Sequence, residues 1–325
     1  MIQYIIRRLF YSIPILIGVN LITFAIFFLV NSPDDVARMH LGTKYVTPEA
    51  VERWKQDHGY HLPLVYNQSA SGVSRVTETI FYHKSFRLFL FDFGRSDSGR
   101  DIGHDVRQRM WPSLAIMIPM FLGGLIVNIA FALFMVFFRG TKIDFYAVVF
   151  CVLIMSISTL FFVIFAQYLF GKLFQMVPIS GFVSGWSMWK FLLLPVVVGI
   201  VAGMGGTSRW YRTLFLEEVN KDYVRTARAK GMSEARVLFG HVFRNALIPI
   251  LTGTVVVIPM LFMGSLIFES FFAIPGLGSY TIEAIQRQDF AIVRSMVFLG
   301  SVIYIVALLA TDITYTWADP RIRLS

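Results

Sequence analysis

The sequence has little that would support chemistry of its own, with one cysteine, Cys151, in 325 residues. A single cysteine excludes an internal disulfide framework and a CxxC metal site. No GxxxxGK[ST] phosphate loop is present, because the one Gly-Lys pair, Gly171-Lys172, lacks the upstream glycine pattern. The HExxH and GxSxG motifs of metalloproteases and serine hydrolases are absent too. The chain therefore carries no recognisable energy source or catalytic centre.

Charge is missing from six long stretches, and 56% of all residues are hydrophobic, with a mean hydropathy of +0.65. A helix needs roughly 20 apolar residues to cross the hydrocarbon layer of a bilayer. The composition therefore predicts an all-α integral membrane protein with six transmembrane helices. The uncharged runs are Leu9–Val30, Ser113–Phe138, Phe145–Phe170, Phe191–Ser208, Ala246–Phe268 and Ser295–Thr311.

The basic residues predict the orientation of these helices. With a cytosolic N-terminus, the inside segments hold fourteen Lys and Arg, including Arg321 and Arg323, against four in the short outside segments. Because short cytosolic loops are enriched in basic residues, both termini are predicted to face the cytosol. This bias also accounts for most of the +9 net charge. No zinc spacing, basic helix or aromatic RNA-binding motif indicates nucleic acid as a partner.

The predicted organisation has three parts: residues 1–30, 31–110 and 111–325. The first combines the cytosolic N-terminus with an uncleaved signal anchor, since no small-residue cleavage site follows its apolar run. The second is an extracytoplasmic loop or subdomain, in which a helix is predicted from N-cap Thr47 to Gly59 and the histidines are read as surface residues. The third is a five-helix transmembrane core that contains the cytosolic segment 207–245.

The segment 207–245 is far longer than a turn between two spans requires. We predict one helix over Leu216–Lys230, a second over Ser233–Phe243, and Gly231 as the hinge between them. Lys221, Arg225 and Arg228 share a face of the first helix. An apolar stripe follows on the second: Ala235, Leu238, Phe239 and Val242. Membrane-surface charge alone explains the basic residues, whereas a partner groove also explains the length, the glycine and the stripe.

Two outside segments are candidates for a gate or pathway. Pro275, Gly276 and Gly278 are predicted to prevent a regular helix in the last outside segment. A non-helical backbone beside a membrane must be buried in protein or line a wet cavity. An ordinary turn between the fifth and sixth spans is the alternative. Pro178 and Gly181 occupy a comparable position in the outside segment 171–190.

The sequence Asp222-Tyr-Val-Arg-Thr-Ala-Arg-Ala-Lys-Gly231, with Arg244-Asn-Ala-Leu-Ile-Pro249 after it, resembles the EAA loop of ABC-importer permeases in their oligopeptide/dipeptide/nickel branch. Of the Glu-Ala-Ala positions only the last alanine is kept, as Ala227. Further segments resemble the same branch: Arg7-Arg8, Asp92–Ser96, Val177–Gly181, Ile274–Gly278 and Asp319–Arg323. The resemblance runs from end to end, except around Asn67–Lys84, which is interpreted as an insertion.

This resemblance implies a type I importer fold and an assembly with a second, similar permease, two ATP-binding subunits and an extracytoplasmic substrate-binding protein. ATP and Mg²⁺ would be used by the ATPase subunits, and this chain would bind no cofactor or metal and catalyse no reaction. The loop that couples the chain to an ATPase is then predicted to use eight residues: Tyr223, Arg225, Ala227, Arg228, Lys230, Gly231, Ser233 and Leu238.

Peptides are the favoured substrates, since the spans carry no cluster of metal ligands, with nickel or another small solute as the alternative. A secondary transporter acting without ATP is a further alternative. Such proteins commonly place ionisable groups inside their spans, and the six runs contain none. The predicted location is the bacterial inner membrane.

Overall fold

The computed structural model describes residues 2–42 and 46–318, and in those ranges the regular structure is helical, with one isolated bridge between Arg95 and Asp101. The predicted all-α class is therefore confirmed. The basic residues Arg321 and Arg323 and the segment Asp319–Arg323 lie outside the described residues.

The helices of the N-terminal third are α1 (Ile2–Leu29), α2 (Pro33–Leu41), α3 (Pro48–His58), α4 (Ser74–Thr77), α5 (Ile80–Lys84) and a 3-10 turn at Phe86–Leu90. They are followed by α6 (Ile102–Phe137), α7 (Lys142–Ser156), α8 (Thr159–Ala166) with a π segment at Gln167–Leu173, α9 (Met188–Val219) and α10 (Asp222–Ala229). The last are α11 (Glu234–Val237), a π segment at Leu238–Val242, α12 (Phe243–Val255), α13 (Val257–Met260), a 3-10 turn at Leu261–Met263, α14 (Leu266–Phe271), α15 (Leu277–Gln286) and α16 (Phe290–Ala318).

Five helical stretches are long and apolar enough to cross a membrane, and a bent pair makes six if it counts as one span. The five are Ile6–Phe28, Ile102–Phe137, Met188–Val219, Glu234–Phe271 and Phe290–Thr314. All six uncharged runs match these stretches or the bent pair to within two residues at their ends, so the predicted spans are confirmed with one correction, in the third run.

The third run is not one straight helix. Helices α7 and α8 meet at an angle of 88°. Ile157 has an extended backbone there, and the hydroxyl of Ser158 accepts the N–H of Leu160 as the N-cap of α8. An N-cap serine starts a new helix instead of continuing the old one. Hydropathy does not register this break, because the hydroxyl residues around Ile157 are uncharged and long apolar stretches lie on both sides.

The chain divides into two compact units. One comprises the chain up to Arg109 together with Tyr280–Val306, and the other comprises Met110–Ser279 together with the chain from Ala307 onward. The sequence-based boundary after residue 110 lies inside α6, which begins at Ile102.

In the first unit, α1 packs against the small helices that follow it. Phe24 and Phe28 share a core with Trp54, Tyr60 and Ile80. Helix α3 begins at N-cap Thr47, whose hydroxyl accepts the N–H of Ala50, and ends at Gly59 with φ +72°. That predicted helix is confirmed.

Two of the histidines are packed and do not behave as the surface residues predicted from sequence. The rings of His40 and His58 stack on Trp54 at centroid distances of 5.3 and 4.2 Å. The Asp97 carboxylate beside His40 raises the pKa of that imidazole. Trp54 explains the arrangement, since a large ring buries its faces best against other flat groups. Among the described residues no group of three His, Cys, Asp or Glu has the geometry of a metal site.

The second unit has two apolar cores. One contains Leu133, Phe215, Val224, Leu238 and Ile250, from helices α6, α9, α10 and α12 and the π segment. The other joins α6, α8 and α9 to the turn after α14, and its members include Ile116, Val163, Leu194, Phe272 and Ile274. The two regions picked out by sequence, around Gly231 and around Gly276, therefore each have a core of their own.

Candidate functional site

The segment before Gly231 is two helices, where the sequence predicted one over Leu216–Lys230. Helix α9 ends at Val219, and α10 begins at Asp222 after Lys221, whose backbone is extended (φ −72°, ψ 152°). The Asn220 side chain donates to the Leu216 carbonyl. Asparagine competes in this way for backbone groups and favours helix ends, which explains the break.

Gly231 closes α10 in the conformation predicted for it, with φ +78°. Its N–H donates to the Arg228 carbonyl at 2.9 Å, and the N–H of Met232 donates to the Ala227 carbonyl at 3.3 Å. This pair of bonds is a Schellman motif, in which a left-handed glycine satisfies the last free carbonyls of a helix. A Cβ at Gly231 would meet no atom within 4 Å, so the requirement for glycine is conformational.

The predicted second helix, Ser233–Phe243, is not a separate surface element. It is the beginning of the long stretch Glu234–Phe271, and a π segment at Leu238–Val242 interrupts its α-helical hydrogen bonding. The predicted apolar stripe is divided as a result: Leu238 and Val242 are buried, whereas Ala235 and Phe239 are exposed. Each π turn adds one residue and rotates the helix face by roughly 100°, which a regular 3.6-residue period cannot anticipate.

An ion-pair cluster joins α10 to the neighbouring elements. Arg228 donates to both carboxylate oxygens of Glu234, at 3.1 and 3.0 Å, and Arg139, which follows α6, donates to Glu234 at 2.6 Å. A bidentate guanidinium–carboxylate pair fixes orientation as well as distance. The half-buried Arg228 is therefore paired with a carboxylate of this chain, whereas Arg225 on the same helix is exposed.

The other predicted coupling residues divide into buried and exposed groups. Ala227 and Leu238 are buried in the core, and Tyr223 is half-buried, with its hydroxyl bonded to Glu218. Burial, followed by this carboxylate, raises the pKa of Tyr223 to about 12. Lys230, Gly231 and Ser233 are exposed. The structure thus brings all eight residues together, with Arg225, Lys230, Gly231 and Ser233 presented outward.

The turn around Gly276 is built on Glu269, which the sequence analysis did not single out. Its carboxylate is fully buried. It accepts the Ser113 hydroxyl at 2.7 Å and the N–H groups of Ser265 and Ser279 at 3.1 and 3.0 Å. The Ser113 oxygen in turn accepts the N–H of Leu277 at 2.8 Å. The available signal was a lone acid that directly follows the uncharged run Ala246–Phe268.

Glycines make room for this carboxylate. A Cβ on Gly264 or on Gly276 would overlap the Glu269 carboxyl group, and one on Gly278 would lie 2.7 Å from the backbone of Ser265. The prediction that Gly278 prevents a regular helix is wrong, because Gly278 lies in the first turn of α15. Helix starts tolerate glycine when their N–H groups have another acceptor, and Glu269 is that acceptor for the N–H of Ser279.

The second pair of gate candidates lies beside the same turn. The N–H of Gly181 donates to the Phe272 carbonyl at 2.7 Å, and Gln167 donates to the carbonyls of Ile179 and Phe271 at 3.1 and 2.8 Å. Pro178, which lies between Gln167 and Gly181 in the sequence, is half-buried. The two outside segments predicted separately are therefore hydrogen-bonded to each other.

A concave face between α6, α9 and α12 was also missed by the sequence analysis. It encloses about 530 Å³ and has no charged residue in its lining. Glycines, among them Gly199 and Gly203, form part of its lining, and the lining residues with a polar group in the side chain are Asn128, Thr207, Trp210, Tyr211 and Thr254. The Asn128 side chain is positioned by a 2.9 Å hydrogen bond from Ser208. A cavity without charged side chains can accept ligands of different structure, but it has no fixed charge that would favour one ligand over another.

Comparison with known proteins gives a consistent result along the chain. The family model for the binding-protein-dependent transport system inner membrane component matches residues 128–324, and the N-terminal model of such membrane components matches residues 1–83. The N-terminal match thus includes most of the segment interpreted as an insertion.

Individual relatives are similar over nearly their full length. A Brucella abortus (strain 2308) protein, named as a peptide transport system permease, is 31% identical, with 98% of each chain covered. The di/tripeptide transport system permease protein DppB of Pseudomonas aeruginosa is 30% identical, with 99% of each covered. The oligopeptide transport system permease protein AppB of Bacillus subtilis is 29% identical over 99% of this chain and 100% of its own.

The two family matches together cover five of the six predicted spans, the end of the second span, the Gly231 loop and Glu269. With its apolar helices, this places a multi-pass protein in the inner membrane, in the permease fold that the motifs predicted. The chain belongs to the family of inner membrane components of binding-protein-dependent transport systems.

Proposed function

We propose that this chain is the permease subunit of an ATP-driven peptide importer. The observation that carries the proposal is α10 with its Gly231 cap, which packs one face on the transmembrane core and leaves the other exposed. The chain has no phosphate loop of its own. A peptide substrate is supported by the names of the three relatives, which favour peptides over nickel. Among the described residues, no cluster of three or more His, Cys, Asp or Glu side chains could hold a nickel ion.

In this proposal the exposed residues of α10 and its cap contact an ATPase subunit. Val224 and Ala227, on the other face of α10, are buried among residues of α6, α9 and α12. Because protein interiors are close-packed and resist compression, a push on α10 would move these spans with it. Arg228 and Glu234 then serve to hold α10 in place, and Arg225 and Lys230 are the basic groups available to the partner.

In this proposal the residues that line the cavity around Asn128 form part of the substrate pathway. The cavity's volume of about 530 Å³ is within the range of roughly 300–1,000 Å³ usual for small-molecule sites. A lining without charge suits peptides of differing side chains, whose selection would fall to a substrate-binding protein. The turn around Pro275, Gly276 and Gly278, with Pro178 and Gly181, is the proposed gate.

The remaining assignments follow from the family and the charge pattern. We propose a complex with a second, similar permease, two ATP-binding subunits that use ATP and Mg²⁺, and an extracytoplasmic solute-binding protein, all in contact with membrane lipid. This chain itself binds no nucleotide and catalyses no reaction. Both termini face the cytosol, because that orientation places the basic segment 207–245 on the inside. Nucleic acid has no part in the function.

Transport by the reconstituted complex tests the proposal. The chain would be coexpressed with the permease, ATPase and binding-protein genes beside it and purified into proteoliposomes. We expect ATP-dependent uptake of di- or oligopeptides and ATPase activity stimulated by the peptide-loaded binding protein. Uptake of nickel but not peptide, or peptide uptake driven by an ion gradient without ATP, would contradict it. An ion-driven secondary transporter would also purify without ATPase subunits.

A substitution in the ion-pair cluster tests how the loop is held. We expect Glu234→Ala to reduce peptide uptake and raise the ATP hydrolysed per peptide, because Arg228 and Arg139 lose their shared partner and α10 loses its fixed orientation. Uptake and ATPase activity in proteoliposomes measure this ratio. Glu217→Ala, which removes an exposed acid from the end of α9, is the matched control. An unchanged ratio in Glu234→Ala would show that the cluster does not position the loop.

A further inference from the structure

A pocket in the first unit carries an excess of positive charge that the transport proposal does not use. It encloses about 270 Å³ between the end of α3, α5, the residues 92–95 after the 3-10 turn, and the start of α16. One carboxylate, Asp92, is in its lining, and it is paired with Arg87 at 3.2 Å. The basic side chains in the lining are His58, His83, Lys84, Arg87, Arg95 and Arg294.

Two of these cations, the buried Arg294 and the half-buried Lys84, have no carboxylate at ion-pair distance. Arg294 is 3% exposed; its guanidinium donates to the carbonyls of Phe290 and Lys84 and lies over the Phe28 ring. Lys84 Nζ lies 4.9 Å from the centre of the Tyr60 ring. Within residues 2–42 and 46–318, no carboxylate oxygen lies within 4.0 Å of either cationic group. Burying unpaired charges is costly, so such charges usually have a counterion.

The nearest acids outside the lining are two buried carboxylates, Asp97 and Asp289, that are hydrogen-bonded to other groups. Asp97 accepts the Tyr60 hydroxyl at 3.1 Å and faces His40. Asp289 accepts the N–H groups of Asp97 and Ile292. Burial, together with the neighbouring Arg294, lowers the pKa of Lys84 to about 8, and the two carboxylates offset this only in part. The lining itself holds four Lys and Arg side chains against the single carboxylate of Asp92, so it carries an excess of positive charge.

The position of the pocket indicates where an anion would come from. Ala291, Arg294 and Ser295 lie in the first two turns of α16, where the last membrane span begins. Beside the pocket, the 3-10 turn and the residue after it expose large apolar side chains: Phe86, Leu90 and Phe91. Basic groups next to exposed aromatic and aliphatic side chains are typical of the headgroup region of a bilayer.

We propose that this pocket binds a phosphate group through Lys84 and Arg294, and that the phosphate belongs to the headgroup of an anionic membrane phospholipid, in which no ammonium group cancels the phosphate charge. Guanidinium and ammonium groups from different elements can share the several oxygens of a phosphate. A cavity of 270 Å³ admits the phosphate and part of a headgroup, while the acyl chains would lie along the apolar residues outside. Free inorganic phosphate offers the same chemistry, and the experiment distinguishes the two sources.

The reactivity of Lys84 reports occupancy directly. The purified complex would be placed in nanodiscs of phosphatidylglycerol, of phosphatidylcholine, or of phosphatidylcholine with added inorganic phosphate, then acetylated at pH 8 and digested for mass spectrometry. A bound phosphate covers the amine and keeps it protonated, so we expect Lys84 to be acetylated at least fivefold more slowly in phosphatidylglycerol than in phosphatidylcholine. Slowing only with added inorganic phosphate would support the phosphate site and assign it to the free ion. Equal rates in all three, or slowing only when the binding protein is added, would overturn the proposal.

Variants locate the effect in the pocket. Native mass spectrometry of the complex measures retained phosphatidylglycerol. We expect Lys84→Gln to weaken retention about tenfold, as loss of one charge-assisted contact would. Arg53→Gln, an exposed cation on α3 outside the pocket, should change nothing. Arg294→Gln should restore rapid acetylation of Lys84 in phosphatidylglycerol; if that variant is unstable, the Lys84→Gln measurement decides alone. Retention equal to the unmodified complex in Lys84→Gln would contradict the assignment.

Discussion

Replacing Gly231 with valine is expected to abolish ATP-coupled peptide uptake while the chain still inserts in the membrane. The backbone of Gly231 has φ +78°, a region that costs an L-residue about 1–2 kcal/mol, and a β-branched residue more. The Schellman bonds to Arg228 and Ala227 would be lost, and the direction of the chain after α10 would change. Uptake and peptide-stimulated ATPase activity in proteoliposomes measure the loss.

Gly231→Asn is the matched control, because asparagine adopts the left-handed region far more readily than valine. It should retain most of the uptake. Since a Cβ at this position meets no atom within 4 Å, a clash of the Cβ with the rest of the chain does not explain a difference between the two variants. Wild-type uptake in Gly231→Val would refute the role of this turn in coupling.

The largest loss of stability is expected for Glu269→Ala. It leaves the Ser113 hydroxyl and the N–H groups of Ser265 and Ser279 without their acceptor in a buried site. Each unsatisfied buried donor costs about 1–3 kcal/mol, so a total of roughly 3–5 kcal/mol is expected once the surroundings relax. A lower Tm of the purified complex and loss of uptake would measure this.

Gly276→Ala should reproduce the defect without touching Glu269, because the added Cβ would overlap the Glu269 carboxyl group. Gly18→Ala, at a helical glycine where a Cβ meets nothing within 4 Å, is the control and should leave Tm unchanged. A Tm equal to wild type in both Glu269→Ala and Gly276→Ala would show that this turn is not held by the carboxylate.

Sequence reasoning succeeded where a local rule acts alone. Lipid demands long uncharged helices, so the six runs were recognised from composition. A cap such as Thr47 or Gly231 depends on the residue itself and on its immediate neighbours, and both were predicted correctly. It failed at the breaks near Ile157 and Asn220, because the sequence pattern on both sides of each break is that of one continuous helix. It also failed at Leu238, because the π segment there changes which side chains of the helix are buried.

The candidate site required the tertiary structure for a different reason. Glu269 and Ser113 are 156 residues apart, and no local pattern brings a hydroxyl to a carboxylate over such a separation. Two further contacts also join segments that are distant in the sequence: Arg139 pairs with Glu234, 95 residues away, and the N–H of Gly181 donates to the Phe272 carbonyl.

The sequence by itself determined that this is a helical membrane protein without a phosphate-loop motif, and it identified Gly231 as the turn that follows a helix. These properties depend on transfer to lipid and on backbone conformation, which act residue by residue. Only the tertiary structure decided which charges are engaged and which remain free, at Glu234, at Glu269 and beside Lys84. Burial and pairing of charge depend on contacts between distant segments, and the energy of a charge is set by those neighbours.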